Sequence, residues 1–410
     1  MLNICFTGRK INCGLSTRLP STMGQISTNA IAGNKPVTND ADNTIPPRKS
    51  TIKMNGWQLH SYGDLEELQH TNNLKIPKIR CASDCLVRVR CTTVNPIDVA
   101  MLKGYGSKVL NVMRCKPNEI EFPLIFGREF SGELVQRGMG VSPKLPIGAR
   151  VWGVVPLQMN GAHAEYVTVP EYCLSTAPAN LTNEEAASVL YAGLTGWSGL
   201  YITGGIGGLC GALSATGGGN YKRVLVLGGS GSVGSLAIQM LKSQGVQVLT
   251  TCSEDAVEMV RCMGADYIVD YKNPVEMDTL RDYAPYDIIL DCAGQGADHV
   301  EKINLKFRQY ITFTSPLLRN IDSSGMGLGL FKNAANLVET NVKSLSNNGG
   351  LVKWGFFTPS PNGILFLKKL IERRKLLPSI DSTFKFSQLP EAFKKVQDGH
   401  LRGKVVVIVS

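Results

Sequence analysis

The chain has 410 residues, 43% of them hydrophobic, and a formal net charge of +10. That length suggests two globular domains plus an extra segment, and no stretch approaches the roughly 18 uninterrupted apolar residues a membrane-spanning helix needs. The positive charge is scattered, with no basic helix, arm or nucleic-acid motif, so DNA and RNA are not expected partners.

From the N-terminus, residues 1–39 contain no acid, four basic residues (Arg9, Lys10, Arg18, Lys35) and eight Ser/Thr. This is the composition of a mitochondrial transit peptide. Residues 1–50 are therefore expected to direct import into mitochondria, a plain disordered tail being the alternative. The eleven cysteines are odd in number and form no CxxC pair, as expected of free thiols in a reducing compartment. Cys81, Cys85 and Cys91 are the only cluster, and their spacing matches no zinc pattern.

Order is expected from about Lys53. Trp57–His60 and Cys85–Cys91 alternate as strands do, and residues 53–180 read as a β-rich domain punctuated by Gly and Pro. Thr182-Asn183-Glu184-Glu185 opens a helix with a good N-cap. In Gly204–Gly219, eight of sixteen residues are glycine, which predicts a surface loop without packed structure.

From Lys222 short apolar strands alternate with amphipathic helices. The predicted strands are Arg223–Leu227, Val246–Thr251, Tyr267–Val269, Asp287–Asp291 and Gln309–Phe313. The first helix spans about Ser232–Ser243, with Val233, Ala237, Met240 and Leu241 on one face. This pattern implies an α/β architecture with a doubly wound parallel sheet, a Rossmann domain over about 181–345. The tail, 346–410, carries strands at Val352–Phe357, Phe384–Phe386 and Lys404–Val409 and is expected to complete both domains.

Gly229, Gly231 and Gly234 fit G-x-G-x-x-G at the junction of the first strand and helix of this region. There the glycines let a pyrophosphate approach the N–H groups of a helix N-terminus, so a dinucleotide is the expected ligand. The second strand has no acid before Glu254, and a ribose 2′-phosphate would be tolerated at Ser253, which favours NADPH over NADH. Glu254 and Asp255 count against that choice.

Several segments carry a family resemblance. Val94-Asn95-Pro96-Ile97-Asp98 and Lys103-Gly104-Tyr105-Gly106 resemble the signature of zinc-free quinone oxidoreductases. Phe122–Gly132, with Gly127-Arg128-Glu129, matches the segment where alcohol dehydrogenases carry Gly-His-Glu. Ala192-Gly193-Leu194-Thr195-Gly196, Glu391-Ala392-Phe393, Gly399-His400 and Arg402-Gly403-Lys404 belong to the same medium-chain dehydrogenase/reductase family. The likeness covers about residues 54–410.

The resemblance implies a GroES-like catalytic domain for residues 53–180. Cys252-Ser253 and Val269-Asp270-Tyr271-Lys272 point within the family to a mitochondrial subgroup of NADPH oxidoreductases linked to ubiquinone synthesis and to reticulon-type partners. Carried over by motif, Ser230, Gly231, Ser232 and Val233 should line the pyrophosphate, and Ser253 and Tyr271 should flank the ribose phosphate. Gly294, Phe356, Phe357, His400 and Arg402 should border the nicotinamide. Ser232 departs from the glycine common in relatives.

Arg128 stands where a zinc-binding histidine would, and a guanidinium cannot ligate zinc, so hydride transfer to a quinone-like or enone acceptor without metal is expected. Asn95 and Tyr105 are the candidate hydrogen-bond donors to the developing oxyanion. A turn-forming Asn-Pro and a cleft-wall aromatic are the structural alternative. An enoyl-thioester reductase, using the basic run Lys368, Lys369, Arg373, Arg374 and Lys375, and a non-catalytic NADPH-binding interaction protein also stay open.

Overall fold

The computed structural model describes residues 53–115, 121–206 and 223–409. The expected import segment and most of the glycine-rich loop lie outside the described residues. The part of that loop within them departs from expectation, because Gly204 and Ile206 are buried. Gly204 ends the π-helical Ser198–Thr203 turn, where a side chain would meet the Leu200 carbonyl at 2.7 Å.

The chain begins with β1 (Lys53–Leu59), β2 (Leu68–Lys75), β3 (Asp84–Val94), β4 (Glu129–Arg137), β5 (Arg150–Val154), β6 (Tyr166–Pro170) and β7 (Leu174–Thr176). β1 and β2 form an antiparallel ribbon. β3 is the axis of a seven-stranded sheet, bonding to β4 along one edge and to β6 along the other at one end. Its residues from Asp84 to Val87 and from Cys91 to Val94 are buried, and only Arg88 is exposed, as in a strand covered on both faces.

The second sheet comprises β8 (Arg223–Leu227), β9 (Gln247–Cys252), β10 (Tyr267–Asp270), β11 (Tyr286–Asp291), β12 (Phe307–Thr312) and β13 (Leu351–Trp354). All its strands are parallel, in the order β10-β9-β8-β11-β12-β13. The order reverses between β8 and β11, so the crevice beyond their carboxyl ends is where such a sheet takes a ligand. The tail then returns to the first sheet with β14 (Ile380–Lys385) and β15 (Lys404–Ile408), β15 lying between β14 and β3. The placement of β15 explains its unbroken Val405-Val406-Val407, all fully buried.

Several elements depart from the sequence expectation, β14 among them, which starts at Ile380 rather than Phe384. The Ser232–Lys242 helix is buried around nearly its whole circumference, including Ser235, Ile238 and Gln239, because the Leu190–Trp197 helix packs against it. β13 ends at Trp354 rather than Phe357, freeing Phe356 and Phe357 from the sheet. Two helices, Leu317–Ser324 and Met326–Asn347, fill the connection between β12 and β13.

Candidate active site

The turn after β8 is built from glycines for steric reasons. Gly228 has φ +80°, which favours glycine. A Cβ on Gly229 would lie 2.2 Å from Thr250 Oγ1, and one on Gly234 would lie 2.2 Å from the Gly228 carbonyl. A Cβ on Gly231 would meet nothing closer than 3.6 Å, so that face is open. Gly231 is the N-cap of the Ser232–Lys242 helix and offers no side chain to its first turn. Those N–H groups and the helix dipole therefore point at an anion site.

A cation stands beside this turn. Arg402 donates from Nη2 to Ser253 Oγ at 2.8 Å and to Asp255 Oδ2 at 2.7 Å, and from Nη1 to Ser230 Oγ at 3.4 Å. Ser232 Oγ donates to the Gly403 carbonyl at 2.7 Å. The Arg402-Gly403 segment thus lies over both the pyrophosphate turn and the end of β9. This corrects the expected grouping. Arg402, expected beside Phe356 and Phe357, instead hydrogen-bonds Ser230 and Ser253. His400 is exposed in the turn two residues earlier, with φ +53°. Hydrogen bonds from Ser253 and Arg402 hold the Asp255 carboxyl down at about 2. Tyr271 is exposed beyond β10, its backbone N–H bonded to the Cys252 carbonyl.

A second cluster is aromatic. Phe357 stacks on Tyr191 with ring centroids 4.3 Å apart. Phe356 is exposed, and its carbonyl accepts from Ser198 Oγ. Gly294, with φ +72°, follows β11 in a loop held by the buried Asp291, which accepts from the N–H groups of Ala293, Gln295 and Gly296. Tyr105 is half-buried. Asp322 accepts from the N–H groups of Gly106 (2.6 Å) and Lys108 (3.2 Å), tying the Tyr105 loop to the Leu317–Ser324 helix. Burial first, then Asp322, raises the Tyr105 phenol pKa, while Arg319 opposes them. The phenol therefore stays protonated across the physiological range. Tyr191, which no sequence motif singles out, is likewise raised, chiefly by burial and then by Asp98. Its only signal in the sequence is its position directly before Ala192-Gly193.

The floor of the site is a buried charged network. Lys404 Nζ lies 2.5 Å from Glu129 Oε1 and also donates to Asn95 Oδ1. Asn95 Nδ2 donates to Thr93 Oγ1 (3.2 Å) and Glu129 Oε1 (3.4 Å), and the Tyr191 N–H donates to Glu129 Oε2 (2.8 Å). Asn95 is only 2% exposed. The expected role of Asn95 as a free oxyanion donor is therefore corrected. Its amide N–H groups are spent on Thr93 and Glu129, and Lys404, from the last strand, holds its oxygen.

Arg128 is equally buried. It donates to the carbonyls of Ile125, Pro156, Leu157 and Met159 and lies 3.5 Å from Asp98. Asp98 in turn accepts from the N–H groups of Asn95 and Gly127. Two acids and two bases so balance within the site floor. Of the basic run, Lys368 is bound to Thr176 Oγ1 and lies 3.7 Å from Glu372, which ties it to the surface of its own fold. Among the described residues no three His, Cys, Asp or Glu side chains cluster as metal ligands, and no helix is long and apolar enough to cross a membrane.

The profile of the alcohol dehydrogenase GroES-like domain matches residues 82–179, and that of zinc-binding dehydrogenases matches residues 263–407. "NAD(P)H oxidoreductase RTN4IP1, mitochondrial" of Drosophila melanogaster is 66% identical over 372 residues, 90% of each chain. The Homo sapiens protein of the same name is 38% identical over 375 residues, 89% of this chain and 91% of that one. A quinone oxidoreductase structure from Coxiella burnetii superposes with a TM-score of 0.67 at 24% identity, covering 87% of this chain and all of that one, and shares the fold.

Proposed function

This chain belongs to the mitochondrial NAD(P)H oxidoreductases of the medium-chain dehydrogenase/reductase family, and from that premise we propose that it uses NADPH to reduce a quinone or ubiquinone precursor without metal. The observation that carries the cofactor choice is Arg402 bridging Ser230 and Ser253 beside the uncapped helix N-terminus. A 2′-phosphate would take the place Asp255 now holds on the guanidinium, and Asp255 is exposed and free to turn away. Ser230, Gly231, Ser232 and Val233 bind the pyrophosphate through backbone N–H groups, and Tyr271 flanks the adenosine.

When bound, the reduced nicotinamide supplies hydride. The protein's own residues orient the acceptor and manage the charge that hydride transfer creates on its oxygen. Gly294 leaves room for the nicotinamide, and Phe356 and Phe357 wall the acceptor in. The Tyr105 hydroxyl donates to the acceptor oxygen and holds the proton that oxygen takes up, with Tyr191 as a second phenol beside it. Arg128, a cation locked to four carbonyls, stands in place of the histidine that would ligate zinc.

Arg402→Ala should weaken NADPH binding roughly 10- to 150-fold, the equivalent of about 1.5–3 kcal/mol for hydrogen bonds to a charged group. NADH binding should change little. Titration of both cofactors by calorimetry checks this. Equal losses for the two would mean that Arg402 does not read the 2′-phosphate.

A further inference from the structure

From the last residue of β2 toward β3 the chain reads Lys75-Ile76-Pro77-Lys78-Ile79-Arg80, three bases in six residues with no acid among them. Ile76 packs against the small apolar cluster of Met54, Leu74, Ile125 and Ala164, while Lys75, Lys78 and Arg80 stay exposed. Scattered exposed bases need no explanation, but these three line one cavity.

The cavity has a volume of about 660 Å³, within the roughly 300–1,000 Å³ of small-molecule sites. β1 contributes Met54 to its walls and β6 contributes Tyr166. The segment before β4 adds Leu124 and Ile125, and the segment before β6 adds Met159. None of its lining residues belongs to the cofactor turn, the aromatic cluster or the network around Lys404. The apolar walls are preformed, because Arg128 donates to the carbonyls of Ile125 and Met159 at 3.0 Å each. A wall already held in place costs a ligand little ordering.

The charge in the cavity is unbalanced in sign. Lys75, Lys78, Arg80 and Arg114 stand against Asp84 and Glu121, and both acids are engaged. Asp84 Oδ2 accepts from the N–H groups of Arg80 (3.0 Å) and Cys81 (2.9 Å), and Glu121 Oε1 accepts from the Tyr62 hydroxyl (2.7 Å). Among the described residues Lys75, Lys78 and Arg80 have no ion pair and no hydrogen bond from their side-chain nitrogens. Arg114 is partly buried and fixed, donating from Nε to the Gln158 carbonyl at 3.0 Å and from Nη1 to Asn111 Oδ1 at 2.8 Å. Cations of one sign around a low-dielectric wall focus an attractive field on an anion, and the walls themselves favour an apolar chain. Only a molecule that carries both satisfies the whole cavity.

We propose that this cavity is a binding site for a single-chain amphiphilic anion, a fatty-acyl chain ending in a carboxylate or phosphate head. The chain lies against Met54, Leu124, Ile125 and Met159, and the head lies among Lys75, Lys78, Arg80 and Arg114.

Calorimetric titration of the full chain with dodecanoate, below its micellar concentration, should give saturable binding of one molecule per chain. Dodecyl phosphate should do the same, the tighter of the two naming the head. Dodecanol, with the same chain and no charge, should bind about tenfold more weakly or worse, the usual loss of a hydrogen bond to a charged group. Inorganic phosphate, with no chain, should give no measurable heat. Lys78→Glu combined with Arg80→Glu, at two exposed side chains, should weaken dodecanoate by about tenfold or more. The NADPH dissociation constant and far-ultraviolet circular dichroism should stay as in the wild type. Met159→Trp, which narrows the apolar wall, should weaken dodecanoate and dodecanol together. Failure of both anions to saturate the wild-type chain overturns the proposal, as does equal binding of dodecanol and dodecanoate. Dodecanoate binding that survives the charge reversal and is displaced by a quinone places the chain in the acceptor crevice and overturns it as well.

Discussion

Lys404→Met should lower the free energy of unfolding by about 3–5 kcal/mol, the cost of leaving a buried charge without its partner. Lys404 and Glu129 are both almost wholly buried, 2.5 Å apart. Glu129 also accepts from Thr93 Oγ1, Asn95 Nδ2 and the Tyr191 N–H, so the unpaired carboxylate would stay locked in place rather than turn to water. A loss of that size is a large part of the roughly 5–15 kcal/mol that holds a typical domain folded. Urea denaturation measures it, and a double-mutant cycle with Glu129→Leu isolates the pair. The double variant should recover part of the loss, since removing both charges is cheaper than stranding one. A single-variant loss below about 1 kcal/mol would place the anchor of β15 elsewhere.

Tyr105→Phe should cut quinone turnover by roughly 100-fold or more, the usual effect of deleting one donor to a developing oxyanion. The dissociation constant for NADPH should be nearly unchanged, because Tyr105 belongs to the loop tied to Asp322, whereas Arg402 is bonded to Ser230 and Ser253. With its phenol pKa raised by burial, the wild-type reaction should show no loss between pH 6 and 9 traceable to Tyr105 ionisation. Steady-state kinetics with a panel of quinones and enoyl thioesters, each with NADPH and NADH, reads both effects. If Tyr105→Phe keeps wild-type turnover while Tyr191→Phe does not, the donor is Tyr191. Loss of activity on treating the enzyme with chelators would sink the metal-free reading.

Much of the fold and of the cofactor turn is legible in local chemistry alone. The G-x-G-x-x-G turn at Gly229, Gly231 and Gly234, the parallel strands around it, the Thr182 cap and the unbroken β15 all depend on contacts between near neighbours or on a repeating period. Arg128 in place of a zinc-binding histidine is equally legible, because a substitution inside a motif shows without knowing what surrounds it. What the residues at 402–404 do is not. Arg402 meets Ser253 across 149 positions, and Lys404 meets Asn95 across 309, and no period or propensity links residues so far apart. The return of the tail into the first sheet as β15 creates both contacts, and in doing so turns Asn95 inward and brings Arg402 to the cofactor turn. The stacking of Tyr191 on Phe357 and the outward apolar face of the Met326–Asn347 helix are hidden for the same reason. Sequence specifies which faces are apolar, and only the packed chain decides which of them meets the core and which faces outward.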